Sequence, residues 1–348
     1  MKKYGRLLGS VILAGLLAWR LDWQQVAAAF MQLNVLYWFS ALVLYLFTQG
    51  ISAARWQMLG RMLGLGGCWR DYLRLYFVGM FFNLVLPTSV GGDVVRAWYL
   101  ARGERRAGNA SDRSTAAVYA SGALTASGWA AFLSVLADRL NGLVMLIVVA
   151  CMATLCCPTP LPGWIGAIVA GMGAACLLGL AGLPLLRWLR QGLPAQQRLM
   201  PLLDAAYLCL RDRRRLVGVS LLSLVVQLAN VVLAWLVGEG LGLPVPPLYY
   251  GVLLPVVSIL TLLPISLNGM GLREAGMVLL LAPLHVSAAS AVTLSLLLFA
   301  VYAAAGLMGG VVYLFGHLPR CSMEAPGNAD ALGGNSDQGR MREPSAAT

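Results

Sequence analysis

Two short stretches of the chain carry residue types suited to holding an anion. LPTSVGGDVVR, from Leu86, and LPISLNGMGLR, from Leu263, match in register at Leu86/Leu263, Pro87/Pro264, Ser89/Ser266, Gly92/Gly269 and Arg96/Arg273. An acid flanks each arginine, Asp93 before the first and Glu274 after the second. Proline and glycine interrupt a helix and free backbone N–H and C=O groups, which hydrocarbon tolerates only where protein or a water-filled cavity satisfies them. A helix restarting after Gly92 and another after Gly271 would aim N–H groups and a positive dipole end at the break. An arginine in the next turn adds planar donors that fit a phosphate. The candidate head-group contacts are therefore Ser89, Gly91, Gly92, Asp93 and Arg96 in the first stretch. In the second they are Ser266, Gly269, Gly271, Arg273 and Glu274, with Pro87 and Pro264 as the helix breakers. The competing reading is that each arginine only pairs with its neighbouring acid, or snorkels, to hold a hairpin. The repetition favours a site, because two matching breaks are the mark of an inverted repeat.

The elements that must position these stretches are membrane helices. The 348 residues are 59% hydrophobic and 11% charged, where a soluble domain has about 25% charged residues. Uncharged runs cover Val35–Ala54, Leu75–Gly92, Leu140–Leu186, Leu216–Gly238, Gly240–Leu272 and Ala275–Pro319, and several exceed the ~20 residues that span a bilayer. The fold class is all-α and polytopic; a membrane barrel would show short alternating segments instead. The basic N-terminus and Leu7–Trp19 read as an uncleaved first span.

Basic residues set the topology. The N-terminus, Arg55–Arg74, Asp93–Arg113 and Arg187–Arg215 together hold 19 of the 25, and all four are expected on the cytoplasmic side. Leu75–Gly92 then becomes a re-entrant hairpin, Leu140–Leu186 goes out and back around CCPTPLPG, and Leu216–Gly238 goes out again. Glu239–Pro247 forms a short external loop, and Leu248–Ala282 forms a second hairpin, entered from outside. A last helix near Ser287–Phe315 ends inside. This predicts about six spans and two re-entrant hairpins of opposite sidedness, with both termini cytoplasmic in a bacterial inner membrane. Ser114–Ala137, rich in Ala, Ser and Gly, is expected to lie at the interface or packed in protein. The membrane domain is expected over 1–318, with 187–215 as a basic cytoplasmic loop that could hold a short amphipathic helix. Residues 319–348 have the composition of a disordered cytoplasmic tail.

LPTSVGGDVVR, DRLNGL at Asp138–Leu143 and LPISLNGMGLREAG resemble the flippase-like membrane domain of lysylphosphatidylglycerol synthases and their stand-alone relatives, over roughly Tyr4–Phe315. In two-part members of that family this domain moves aminoacylated phosphatidylglycerol between leaflets, and a soluble domain makes the aminoacyl transfer. No such soluble domain is expected here, so synthase activity is not carried over. By the resemblance, Pro87, Gly91, Gly92, Asp93 and Arg96 match the first family motif, and Pro264, Gly269, Gly271, Arg273 and Glu274 the last. Asp138 and Arg139 match a charged pair opening a later helix. The reading favoured for them is a local pair at a helix start, with a gating pair as the alternative. GNASDRSTAAVYASGALTASGWAA looks like an insertion relative to the family.

Other chemistries find little support. The only lysines are Lys2 and Lys3, which excludes a P-loop or Schiff-base lysine. His285 and His317 are isolated, and the seven cysteines show no metal or disulfide spacing. His285 reads as structural, His317 as interfacial, and the NAS at Asn109 as a chance sequon. Trp19, Trp38, Trp56, Trp69, Trp164 and Trp188 read as interfacial belts. The net charge of +11 follows topology and not nucleic-acid binding. No cofactor or metal is expected. The expected function is that of a lipid translocase, not an enzyme, acting on a phospholipid or polyprenyl-phosphate type anionic lipid. The partner is the lipid itself, with a homo-oligomer or an envelope-biosynthesis enzyme as a further partner. The alternatives are a membrane enzyme transferring a glycosyl or head group to a lipid-linked substrate, and a non-transporting subunit of an envelope lipid complex.

Overall fold

The computed structural model describes residues 23–86, 91–106, 126–157, 161–192, 212–262 and 269–315, and in these every regular element is helical. In chain order they are α1 (Trp23–Met31), α2 (Val35–Met62), α3 (Trp69–Val85), α4 (Gly91–Arg106), α5 (Ala126–Cys156), α6 (Gly163–Gly192), α7 (Arg213–Gly240), α8 (Pro247–Leu262), α9 (Leu272–Leu281) and α10 (Ala288–Phe315). A single 3-10 turn, Ala282–Leu284, joins α9 to α10. Helices α2 and α7, the segment Gly128–Cys156 of α5, Gly163–Gly182 of α6, and α10 are each long and apolar enough to cross a membrane. Exposed apolar side chains along them, such as Phe39, Phe47, Leu178 and Leu314, suit a surface solvated by acyl chains. The expected first span, Leu7–Trp19, lies outside the described residues, as do Pro87, Ser89, Pro264, Ser266, His317, residues 193–211 and the tail.

Local chemistry explains the helix ends. Asn34 caps α2 by accepting the Leu36 N–H at 3.1 Å, and Asp212 caps α7 by accepting the Arg215 N–H. At the other end of α2, Leu63 and Leu65 donate their N–H groups to the Gly60 carbonyl, with Gly64 at φ 78°. Helix α7 ends the same way, with Leu241 and Leu243 donating to Gly238 and Gly242 at φ 65°. The positive φ is why glycine stands at both turns. Tyr72 then lays its hydroxyl where a Cβ on Gly60 would be, and Tyr250 does the same over Gly238.

Packing links the helices in a regular way. Helix α2 packs along α7; α3 lies on α2, α4 and α10; and α4 also lies on α5. Helix α8 lies on α7, α9 and α5, and α9 also lies on α10. Each short helix pair thus sets one arm on α5 and the other on α10. One apolar core gathers Trp56, Tyr72, Leu75, Leu100 and Ala131, and the larger one gathers Tyr249, Tyr250, Leu253, Leu280 and Leu297.

Two expectations, on Arg55 and Trp56, are corrected here. Arg55, placed with a cytoplasmic loop, is inside α2 and buried, because it has a partner within the bundle. The described second half of Ser114–Ala137 takes the packed alternative: from Ala126 it is one helix with the run that follows, with Ala130, Ala131, Leu133, Ser134 and Val135 buried. Trp56 is no belt residue; it is fully buried, and its indole N–H donates to Ser134 Oγ at 3.0 Å. Helix α1 was not anticipated. His285 does take a structural turn position, at φ 57° after the 3-10 turn.

Candidate functional site

A cavity of about 600 Å³ opens between α2, α4, α5, α7 and α8. Helix α2 presents Tyr45, Gln49, Ser52 and Arg55 to it, positions that share one face at helical spacing. From α4 come Asp93 and Val94, from α5 Asp138 and Arg139 among apolar neighbours, from α7 Gln227 and Asn230, and from α8 Ser258 and Leu262. Tyr76 of α3 completes the polar lining.

A chain of charges runs along one wall. Arg55 donates from Nε to Asp138 Oδ1 at 2.8 Å and from Nη1 to Ser223 Oγ at 2.9 Å. Ser223 bonds in turn to Asn141. Arg96 donates from Nη2 to Asp138 Oδ2 at 3.3 Å. Its Nε lies 3.1 Å from Asp93 Oδ1, an attractive separation without hydrogen-bond geometry. Arg139 holds Asp93 with two parallel bonds of 2.9 Å. Arg96 is also sandwiched over Trp56 and Tyr76, with its guanidinium carbon 4.6 and 4.8 Å from the ring centroids. Arg96 and Asp138 are 2% and 1% exposed, whereas the Arg139 side chain is 55% exposed. Charges this deep persist only when paired and hydrogen-bonded.

The expected local pair of Asp138 with Arg139 is therefore corrected. Neither opens a helix; both lie mid-way along α5, and adjacent residues on a helix point about 100° apart. Asp138 turns to Arg55 and Arg96, and Arg139 turns to Asp93. The expected helix restarts do occur at Gly91 and after Gly271. Two of the N–H groups at those starts have protein partners: Gly92 donates to Asn83 Oδ1 at 2.8 Å, and Gly271 donates to Glu274 Oε2 at 2.7 Å.

The second motif forms its own cluster. Arg273 meets Glu274 at 3.1 Å and Ser295 Oγ at 3.1 Å, and its guanidinium sits over Phe299. Ser295 also donates to Glu274 Oε1. The cavity lining includes Asp93, Asp138 and Arg139 of the expected residues, with Arg96 directly behind them. Gly269 and Gly271 shape the start of α9, at φ 76° and 82°. Arg55, Tyr45, Gln49, Ser52, Gln227 and Asn230 were missed. Their signal was present as polar side chains at helical spacing on two otherwise apolar spans, α2 and α7.

The family model described as lysylphosphatidylglycerol synthase TM region matches residues 6–310. No curated protein and no solved structure matches the chain.

Proposed function

The chain belongs to the lysylphosphatidylglycerol synthase TM region family, and from that premise we propose that this multi-pass membrane protein moves an anionic lipid between leaflets. One observation carries the reading. The cavity has a charged inner wall in which three guanidiniums meet two carboxylates, while Val94, Phe132, Leu140 and Leu262 at its lining are largely exposed and apolar. A head-group phosphate would enter beside Arg55 and Arg139, and the acyl chains would stay in lipid against the apolar edge.

The transport geometry in this proposal is an inverted repeat of α1–α5 and α6–α10. The two sequence motifs support it, as do the matching turns of Gly60 with Tyr72 and Gly238 with Tyr250. So does the packing: exchanging each helix with the one five places later turns α3 on α10 into α8 on α5, and α4 on α5 into α9 on α10. Helices α3–α4 and α8–α9 are then the two re-entrant hairpins, and rocking of the halves would alternate access to the cavity. The proposed setting is the bacterial inner membrane with cytoplasmic termini. The driving force is an ion gradient or the lipid's own imbalance, and the protein acts as a carrier without covalent chemistry.

The test is reconstitution of the full chain into liposomes with labelled lipids and a membrane-impermeant quencher. Protein-dependent exchange of an anionic phospholipid is expected. Folded protein that leaves every anionic lipid in its original leaflet would refute the proposal.

A further inference from the structure

The cavity has two kinds of polar wall, and together they specify the head group beyond its being anionic. On the charged side, Asp93 is taken by Arg96 and Arg139, and Asp138 by Arg55 and Arg96. Both carboxylates therefore face two guanidiniums, and the network retains one positive charge in excess. Among the described residues no further acidic side chain lines the cavity; Glu274 is held beside Arg273 and Ser295.

The remaining polar lining is neutral, built from Tyr45, Gln49, Ser52, Gln227, Asn230 and Ser258. Its amides are anchored. Gln49 donates to the Tyr45 carbonyl at 3.1 Å, Gln227 to the Gly142 carbonyl at 3.0 Å, and Asn230 to Gln227 Oε1 at 3.4 Å. With these N–H groups engaged, and Gln227 Oε1 already accepting from Asn230, the amide oxygens of Gln49 and Asn230 and the hydroxyls of Ser52 and Ser258 are the acceptors that could meet donors on a ligand. Such oxygens suit hydroxyl groups well. They accept from an ammonium too, but with no free carboxylate and a network already in positive excess they leave its charge poorly compensated once its hydration is lost.

We infer that the cavity takes a lipid whose head group carries a single phosphodiester charge joined to an uncharged polyol, glycerol-like or sugar-like, and that it discriminates against head groups bearing an ammonium. This rests on the translocase reading of the same cavity. It narrows that reading, because lysylphosphatidylglycerol itself would bring positive charge to a site with no free carboxylate to receive it.

The experiment is competition binding to the purified full-length protein by native mass spectrometry, with acyl chains matched. The probes are phosphatidylglycerol, phosphatidylinositol, a polyprenyl-phosphate hexose, phosphatidic acid, phosphatidylethanolamine and lysylphosphatidylglycerol. At least one polyol lipid should bind roughly tenfold or more tighter than the two ammonium lipids, the scale set by one poorly compensated charge. The order among the three polyol lipids separates the glycerol from the sugar source. The variant Asn230→Asp, which places a carboxylate on the neutral wall, should narrow or reverse the preference. Lysylphosphatidylglycerol or phosphatidylethanolamine binding the native protein as tightly as every polyol lipid overturns the inference, and so does phosphatidic acid matching them, or no lipid binding at all. Selective binding without leaflet exchange would uphold the inference and remove the translocase reading; exchange without head-group preference would do the reverse.

Discussion

The two hairpins carry the same motif and use it differently. In the α3–α4 pair, Arg96 is enclosed between Trp56 and Tyr76 and reaches across to Asp138 on α5. In the α8–α9 pair, Arg273 stays with its neighbour Glu274 and reaches across to Ser295 on α10. Helix α5 thus supplies the first arginine's partner, an acid, and α10 the second's, a hydroxyl. Position 55 differs similarly: the spacing that carries Gly60 to Gly238 and Tyr72 to Tyr250 carries Arg55 to Leu233, a fully buried core residue. The two regions share a motif, and among the described residues only α2, α4 and α5 bring charged side chains to the cavity.

The largest test of this contrast is removal of the cross-helix partner. Asp138→Ala takes the shared carboxylate from buried Arg55 and Arg96, leaving them Ser223 and Asp93, and should cost about 3–5 kcal/mol of stability. Ser295→Ala removes a neutral partner while Glu274 remains and should cost about 1 kcal/mol. Thermal unfolding in detergent compares them, and equal losses would mean that the two arginine sites are energetically alike.

The glycines should fail for different reasons. A Cβ on Gly92 would overlap the Gly79 carbonyl oxygen and Asn83, so Gly92→Ala must push α4 off α3, at roughly 1–3 kcal/mol or more. Gly271→Ala instead strains a positive-φ backbone (φ 82°, ψ −45°) that favours glycine, at roughly 1–3 kcal/mol. Gly271→Asn should be no better than Gly271→Ala, because φ 82° with ψ −45° lies outside the left-handed helical region that asparagine tolerates, whereas Gly92→Asn should be worse than Gly92→Ala. A rescue at position 92 would contradict the close approach of the helices.

For transport, Arg139→Gln should slow anionic-lipid exchange roughly tenfold, equivalent to about 1.4 kcal/mol. Arg273→Gln, away from the cavity lining, should change it much less in protein of equal stability. The quencher assay decides between them, and an equal or larger effect of Arg273→Gln would shift the head-group site to the second hairpin.

The smallest contrast lies in the paired tyrosines. Tyr72 donates its hydroxyl to the Gly66 carbonyl at 3.0 Å, so Tyr72→Phe should cost about 1 kcal/mol. The buried Tyr250 hydroxyl has no hydrogen-bond partner among the described residues, so Tyr250→Phe should be neutral or stabilising. A clear loss at Tyr250 would point to an unseen partner.

Composition, the lengths of the apolar runs and the paired motifs determined a helical membrane protein with two broken-helix sites, because bilayer thickness and backbone satisfaction act on local sequence. Helix restarts at Gly91 and after Gly271 were legible for the same reason. Tertiary structure alone decided who pairs with whom. Asp138 and Arg139 are adjacent in the chain, yet helix geometry sends them to different partners on two other helices. Arg55 reads as a loop charge until α5 is laid against α2. A polar residue in an apolar span announces that it has a partner, but the identity of that partner, and the cavity their meeting encloses, depends on contacts between residues such as Arg55 and Asp138, 83 positions apart.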